Sequence, residues 1–217
     1  MNNHFVGRLL AVFVVTAGLS VIAPSHVAAK IVTDVDAAEA VNTSVAFGTA
    51  KADAGVATGS ASLTPAAKRW QSTKITYKID SGSSYYRSVW HSAVKKWNHS
   101  GVVHLVATTG KADISLSTSN SPMGNCGSTV GITYSSYYNN KTLNHLPVLV
   151  SAKSYVFKNV ASHYHYSKTE RANVAQHELG HALGLEHNVG RHSVMYYATR
   201  DQSVSKPDVN GLEHSYR

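Results

Sequence analysis

The sequence contains a single cysteine, Cys126, among its 217 residues. One thiol excludes an intramolecular disulfide, so the stability of the fold has to come from packing and from any bound metal. Within the stretch MGNCGSTVG the thiol has no second cysteine and no histidine at ligand spacing. We therefore interpret Cys126 as a structural free thiol rather than as a metal ligand.

Long apolar runs are also absent, except for one near the N-terminus at residues 9–22. This run follows a short, weakly basic stretch and precedes the small residues Val27, Ala28 and Ala29, which is the order of a secretory signal peptide. A membrane anchor is the alternative, but the run is shorter than the roughly 18–20 residues that a spanning helix needs. We predict a signal peptide over residues 1–29 and a secreted, extracellular protein without stable membrane insertion.

Acidic residues are scarce: 12 Asp and Glu stand against 20 Lys and Arg, for a formal net charge of +8. Removal of residues 1–29 takes away Arg8 and leaves +7, that is +8 minus 1. The basic residues are scattered and form no run with interleaved aromatics, which argues against nucleic acid as a partner. The charge is instead compatible with association with anionic cell walls. The sequence shows no acidic cluster of the kind that calcium requires.

Aromatic residues are nearly missing from residues 30–65, where Phe47 is the only one. This segment is rich in Ala, Thr, Ser, Gly and Val and has no sustained helical or alternating pattern. We therefore interpret it as a pro-segment or linker. Aromatic residues become frequent from Trp70 onward. We accordingly place one folded domain at residues 66–217.

Periodicity within this domain predicts both strands and helices. Apolar residues recur at three- and four-residue steps between Tyr86 and Trp97, which indicates an amphipathic helix. The Ser-x-x-Glu pattern at Ser167 and Glu170 is a capping box and predicts a second helix that ends at Gly184. The pair Pro207-Asp208 can start a last short helix. Strands are predicted at residues 74–80, 102–108, 112–118 and 146–155, and residues 124–142 are predicted to be loops around a short strand.

The candidate metal-binding and catalytic residues lie in the stretch VAQHELGHALGLEHNVGRHSVMYY. Residues four apart on a helix lie on one face, so His177 and His181 can bind the same ion. Gly184 allows a sharp turn that returns His187 to that ion. Three neutral imidazoles leave the fourth tetrahedral position open, which is typical of a catalytic zinc site rather than a structural one. Glu178 is placed to accept a proton from a water at that position.

The motif HELGHALGLEH followed by SVMYY resembles the metzincin clan of zinc endopeptidases. The order and character of the segments over residues 66–217 are similar to the catalytic domain of matrixins. The resemblance implies an α+β, metzincin-like zincin domain. This domain has a twisted, mostly parallel mixed sheet, a backing helix, an active-site helix, and a small lower subdomain after Gly184.

The resemblance also implies roles for two residues that follow the third histidine in the sequence, Met195 and Tyr197. Met195 matches the Met-turn of the clan, which forms an apolar floor beneath the metal. Tyr197 resembles a tyrosine of astacins and serralysins that approaches the metal and steadies the reacting oxyanion, with plain packing of the ring as the alternative. The sequence departs from those families at Asn188, where they carry an acidic residue. It departs from matrixins in having no cysteine within residues 30–65 to maintain latency. The subfamily therefore stays open between matrixin-like and a bacterial relative.

The resemblance implies a zinc metalloendopeptidase made as a zymogen. A zinc-activated water, with Glu178 as general base, would hydrolyse peptide bonds in protein or peptide substrates. The substrate would lie extended along an edge strand, for which residues 146–155 are our candidate. We expect a monomer. The alternative is a secreted zinc-binding or wall-associated protein with this fold but no turnover; a site that only binds metal has no need for Glu178, which favours the protease.

Overall fold

The computed structural model describes residues 31–39, 63–122, 124, 128–198 and 200–217. The predicted signal peptide and Cys126 lie outside these residues. No helix in the described ranges is both long and apolar enough to cross a membrane.

The described residues form a six-stranded mixed sheet at the centre of the fold, with the strand order β1-β5-β6-β4-β2-β3. Strand β2 is parallel to β3 and β4, and β4 is parallel to β6. Strand β5 is antiparallel to both β6 and β1. The mixed sheet predicted from the sequence is confirmed. The strands are β1 (Ile31–Glu39), β2 (Lys74–Asp80), β3 (His104–Ala107), β4 (Ile114–Ser119), β5 (Thr129–Leu143) and β6 (Leu146–Phe157).

In the part of the chain that the structure describes, four helices accompany the sheet, and two of them are the predicted backing and active-site helices. The backing helix α1 buries the apolar face that its periodicity predicted. The capping box of Ser167 and Glu170 is formed at the start of α3. The indole nitrogen of Trp97 donates to the carbonyl of Gln176 at 2.9 Å and so joins α1 to α3. The helices are α1 (Ser84–His99), α2 (Lys158–His163), α3 (Lys168–Ala182) and α4 (Lys206–Tyr216).

Two expectations about the strands were wrong. Residues 124–142 were expected to be loops around a short strand, but Thr129–Leu143 form the long strand β5. The proposed substrate strand, residues 146–155, lies within β6, which pairs with β4 on one side and β5 on the other. Because both of its backbone edges are already hydrogen-bonded, β6 cannot accept an extended peptide. The edge of β5 away from β6 is the alternative, and β1 pairs along it.

Part of the presumed pro-segment belongs to the sheet. Residues 31–39 form β1, in which Ile31 lies opposite Tyr138 and Val35 lies opposite Tyr134 of β5. The absence of an alternating pattern in this segment had suggested no regular structure. Backbone pairing with an exposed sheet edge does not require such a pattern, because the partner strand supplies the hydrogen bonds.

A short N-terminal strap, residues 64–69, runs past the end of α3. The amide of Thr64 donates to the carbonyl of Pro207 in α4, and the amide of Ala67 donates to the carbonyl of Gly184. The amide of Arg69 donates to the carbonyl of Pro147 at the start of β6. The strap therefore ties the segment after Gly184, which includes α4, to the sheet.

Candidate metal centre

Helix α3 presents two of the three predicted histidine ligands. His177 and His181 lie one helical turn apart, and both are fully or almost fully buried. Their Nε2 atoms are 3.0 Å apart. Almost every residue of the last three turns of α3 is buried, because the helix is covered on several sides rather than lying on a surface.

His187 reaches the same point by way of a sharp turn at Gly184. This glycine has a φ of +101°, and a Cβ placed on it would lie 2.1 Å from the carbonyl oxygen of Lys68. A residue without a side chain is therefore required for the chain to reverse beside the strap. The reversal places His187 Nε2 3.3 Å from His181 Nε2, and His187 itself is exposed.

The three imidazoles fit a tetrahedral zinc ion. One nitrogen from each histidine lies within 4.8 Å of the others. Zn–N bonds of about 2.0–2.1 Å at tetrahedral angles place ligand nitrogens about 3.3–3.4 Å apart, close to the spacing found here. With three protein ligands and one exposed side, the arrangement leaves room for a water or a substrate oxygen at a fourth position.

Backbone carbonyls orient the two buried imidazoles. The Nδ1 atom of His177 lies 2.7 Å from the carbonyl oxygen of Val194, and that of His181 lies 2.8 Å from the carbonyl oxygen of Leu185. Because a carbonyl can only accept, each Nδ1 carries the proton and each Nε2 keeps its lone pair for a metal. Burial lowers the pKa of His177 to about 3 and the pKa of His181 well below its ordinary value. The neutral form that ligation requires is therefore the one that the fold favours.

Met195 is fully buried and packs against α3. A Cβ placed on Gly180 would lie 2.3 Å from Met195 Sδ and 3.0 Å from Trp97 Cζ2, so the methionine packs directly on the glycine of the HELGH motif. The amide of Asn188 donates to the carbonyl of Met195. The apolar floor beneath the metal, which the resemblance implies for Met195, stays a prediction.

Asp208 supports the Met-turn, and its role was not predicted from the sequence. Its carboxylate is fully buried at the start of α4. One oxygen accepts from the hydroxyls of Thr64 and Ser193, and the other accepts from the amide of Val194 at 3.1 Å and from the amide and hydroxyl of Ser205. Asp208 thus fixes Val194, whose carbonyl orients His177. In the sequence it had signalled only a helix start.

The two predicted catalytic side chains are placed very differently. Glu178 follows the first ligand on α3, is fully buried, and has Oε2 2.7 Å from the hydroxyl oxygen of Thr133 on β5. Tyr197 is half exposed, and its ring lies against the ring of Tyr196 with centroids 4.6 Å apart. A role for Tyr197 in oxyanion stabilisation stays a prediction.

Asn188, the residue after the third histidine, has a structural role in this fold. Its side-chain amide donates to the hydroxyl of Thr64 at 2.7 Å, and its side-chain oxygen accepts from the amide of Gly190. It therefore ties the loop that carries His187 to the strap, which an acidic residue with no N–H donor could not do in the same way.

Comparison with known proteins gives a family match. A family model described as Matrixin matches residues 69–217. Interstitial collagenase from Sus scrofa is 26% identical over 180 residues, which cover 71% of this chain and 34% of the collagenase. The chain thus spans about a third of the length of that relative. The match confirms the predicted matrixin-like resemblance, the fold class, zinc as the metal and zinc metalloendopeptidase as the class of enzyme.

Proposed function

The chain belongs to the matrixin family of zinc endopeptidases, and from this premise we propose that it is a secreted protease that hydrolyses peptide bonds in proteins. One observation carries the proposal: three imidazole nitrogens converge on a point, and α3 supplies a buried carboxylate at the residue directly after the first of these histidines. His177, His181 and His187 would hold the zinc ion. A site that served only to bind metal would not need Glu178.

The chain's own groups have distinct tasks in the proposed reaction. Zinc supplies a Lewis acid that activates water and polarises the scissile carbonyl. Glu178 acts as general base, takes a proton from the attacking water, and passes it to the departing amine. The Nδ1 contacts of His177 and His181 hold both rings in one orientation throughout. We further propose that Tyr197 donates a hydrogen bond to the developing oxyanion.

Casein cleavage by residues 63–217 tests this function, because this fragment keeps Thr64 and the strap. We expect the wild type to cleave casein and a zinc chelator to abolish the cleavage. Glu178→Ala should retain one zinc per chain while its kcat/KM falls by about 10²–10⁴-fold, the usual loss for a general base. Zinc content measured on each sample separates loss of the base from loss of the metal.

The alternative function is a secreted zinc-binding or wall-associated protein without turnover. If wild type and Glu178→Ala both hold zinc, and neither cleaves casein or a peptide library, this alternative replaces the protease. Binding to anionic cell-wall polymers, lost at high salt, would then identify the kind of partner.

We propose that the protein is made as a zymogen in which residues 31–39 block the cleft. Strand β1 pairs antiparallel with β5, with Asp36 opposite Thr133 and Ala38 opposite Gly131. These two β5 residues are the ones that approach Glu178. An extended substrate would need the same edge, so β1 excludes it by occupying the backbone hydrogen-bonding groups.

This latency is tested by comparing residues 30–217 with residues 63–217. We expect the longer protein to cleave casein at least about tenfold more slowly, and limited proteolysis within residues 40–62 followed by removal of the released peptide to restore the rate. Equal rates for the two intact proteins would contradict the proposal. Secretion is checked separately: the full chain should be recovered outside the producing cell, and a chain without residues 1–29 should stay inside it.

A further inference from the structure

The carboxylate of Glu178 lies against the face of β5 that points toward α3. The hydroxyl oxygen of Thr133 is 2.7 Å from Glu178 Oε2 and 2.9 Å from the backbone carbonyl oxygen of the same glutamate. Thr133 is fully buried, so water does not compete for this contact. One short polar side chain of the sheet therefore contacts both the side chain and the main chain of the proposed general base.

Gly131, two residues earlier, lies on the same face of β5 because side chains alternate along a strand. A Cβ placed on it would lie 2.5 Å from Glu178 Oε1 and 2.8 Å from Glu178 Cγ. Any side chain here would push the carboxylate away. The sheet thus offers a recess at Gly131 and a hydroxyl at Thr133, and the glutamate side chain occupies this recess.

A second hydroxyl completes the arrangement. Ser154, which lies opposite Thr133 on β6, has Oγ 2.9 Å from Thr133 Oγ1 and 3.2 Å from the carbonyl oxygen of Glu178. A carboxylate oxygen can only accept, so the Thr133 hydroxyl supplies the hydrogen in its contact with Oε2. The Ser154 hydroxyl donates to Thr133 or to the Glu178 carbonyl.

We propose that Thr133 is a positioning residue for the peptidase reaction, which holds the Glu178 carboxylate in a single rotamer, with Gly131 providing the space. The inference rests on the proposed function, since Glu178 must be the base for its orientation to affect the rate. Thr133 acts through Glu178 and contacts no substrate. A base displaced by about 1 Å can lose on the order of a hundredfold in rate, which sets the scale of the effect.

The test is Thr133→Val, which keeps the shape of the side chain and removes the hydroxyl. We expect kcat to fall by about tenfold to a hundredfold with KM changed less than about twofold, while Thr133→Ser restores kcat to within about threefold of wild type. The matched control is Thr118→Val on β4, whose buried hydroxyl has no hydrogen-bond partner among the described residues. This control should leave kcat unchanged.

A second readout does not depend on turnover. In protein labelled with ¹³C-glutamate, the carboxyl resonance of Glu178 is identified by its absence from Glu178→Gln. We expect Thr133→Val to shift this resonance in the metal-free protein, and Thr133→Ser and Thr118→Val to leave it in place. If Thr133→Val does not fold, Thr133→Ala, which adds no bulk, takes its place in both measurements.

The outcomes separate this inference from the proposed function. A wild type that cleaves, a Glu178→Ala that does not, and a Thr133→Val with wild-type kcat would overturn the positioning role and leave the protease intact. An unmoved Glu178 resonance in Thr133→Val would overturn it even without any cleavage assay. A wild type that holds zinc but cleaves nothing contradicts the protease, and the positioning role fails with it.

Discussion

Replacement of Asp208 by asparagine should weaken both the fold and zinc binding, although Asp208 is not one of the three predicted zinc ligands. The change replaces one carboxylate oxygen by an NH₂ group and removes the charge. In the structure both oxygens accept hydrogen bonds, from Thr64 and Ser193 on one side and from Val194 and Ser205 on the other. Whichever oxygen becomes the NH₂ group, its N–H groups face hydroxyl or amide groups that donate to that oxygen in the wild type.

The size of the effect follows from the hydrogen bonds that the substitution breaks. A hydrogen bond to a charged group contributes about 1.5–3 kcal/mol, and a buried donor left unsatisfied adds to the cost. Loss of Oδ1 removes the acceptor of two hydroxyls, and loss of Oδ2 removes the acceptor of two amides and one hydroxyl. Since at least two donors lose their acceptor in either case, we expect Asp208→Asn to lower the free energy of unfolding by about 3 kcal/mol. For a domain of this size, 1 kcal/mol corresponds to about 2–4 °C, so Tm should fall by about 6–12 °C.

Zinc affinity should fall as well, because Asp208 fixes Val194 and the Val194 carbonyl orients His177. Loss of such an outer partner typically costs about 10–100-fold in metal affinity. The assays are thermal unfolding of the metal-free protein and competition for zinc against a chromophoric chelator. The matched control is Glu213→Gln on the same helix, whose carboxylate lies on the surface beside Arg217. A Tm within about 2 °C of wild type together with an unchanged zinc Kd for Asp208→Asn would refute the reasoning.

Three further changes have defined outcomes. Gly180→Ala should lower Tm by about 5–10 °C and reduce zinc occupancy, because the new methyl group would have to displace Met195; calorimetry and zinc analysis check this. Chelation of zinc should lower the Tm of the wild type, and at a zinc concentration about 100-fold above Kd the loss corresponds to about 2.7 kcal/mol in calorimetry. For Glu170, partial burial would raise the pKa, but hydrogen bonds from Arg200 and Ser167 outweigh it and lower the pKa below 4.5. The carboxylate therefore stabilises the fold above that pH and less as the pH falls. Glu170→Gln should cost stability at about pH 7 in urea unfolding of the metal-free protein, and the difference should shrink near pH 3; a pH-independent difference would contradict this.

The features that were predicted correctly are those that depend only on residues close together in the sequence. The spacing of His177 and His181 fixes their common face on any helix, and the Ser167 capping box fixes where that helix begins. The apolar repeat of α1 likewise depends only on its own residues. Gly184 predicted the turn because glycine is the residue that most readily adopts the left-handed conformation in which many helices end.

The parts that were missed depend on contacts between distant segments. Strand β5 carries two Ser, two Asn and one Gly, which indicated loops, yet it pairs with β6 on one side and β1 on the other and is the longest strand among the described residues. Thr133 and Asp208 are ordinary polar residues in the sequence. Only the register of β5 with α3, and the strap at Thr64, place them beside Glu178 and the Met-turn.

The three glycines around the site show why the catalytic helix lacks a strongly amphipathic pattern. A Cβ on Gly131 would meet Glu178, a Cβ on Gly180 would meet Met195, and a Cβ on Gly184 would meet the strap. These contacts come from the sheet, the Met-turn and the N-terminal segment, so α3 is enclosed from three directions. Enclosure of this kind keeps the imidazoles neutral and the carboxylate dry, but over the buried residues 172–182 it leaves no solvent face whose polarity could have marked the helix in the sequence. Close backbone approach, rather than flexibility, is therefore what glycine provides at Gly131 and Gly180.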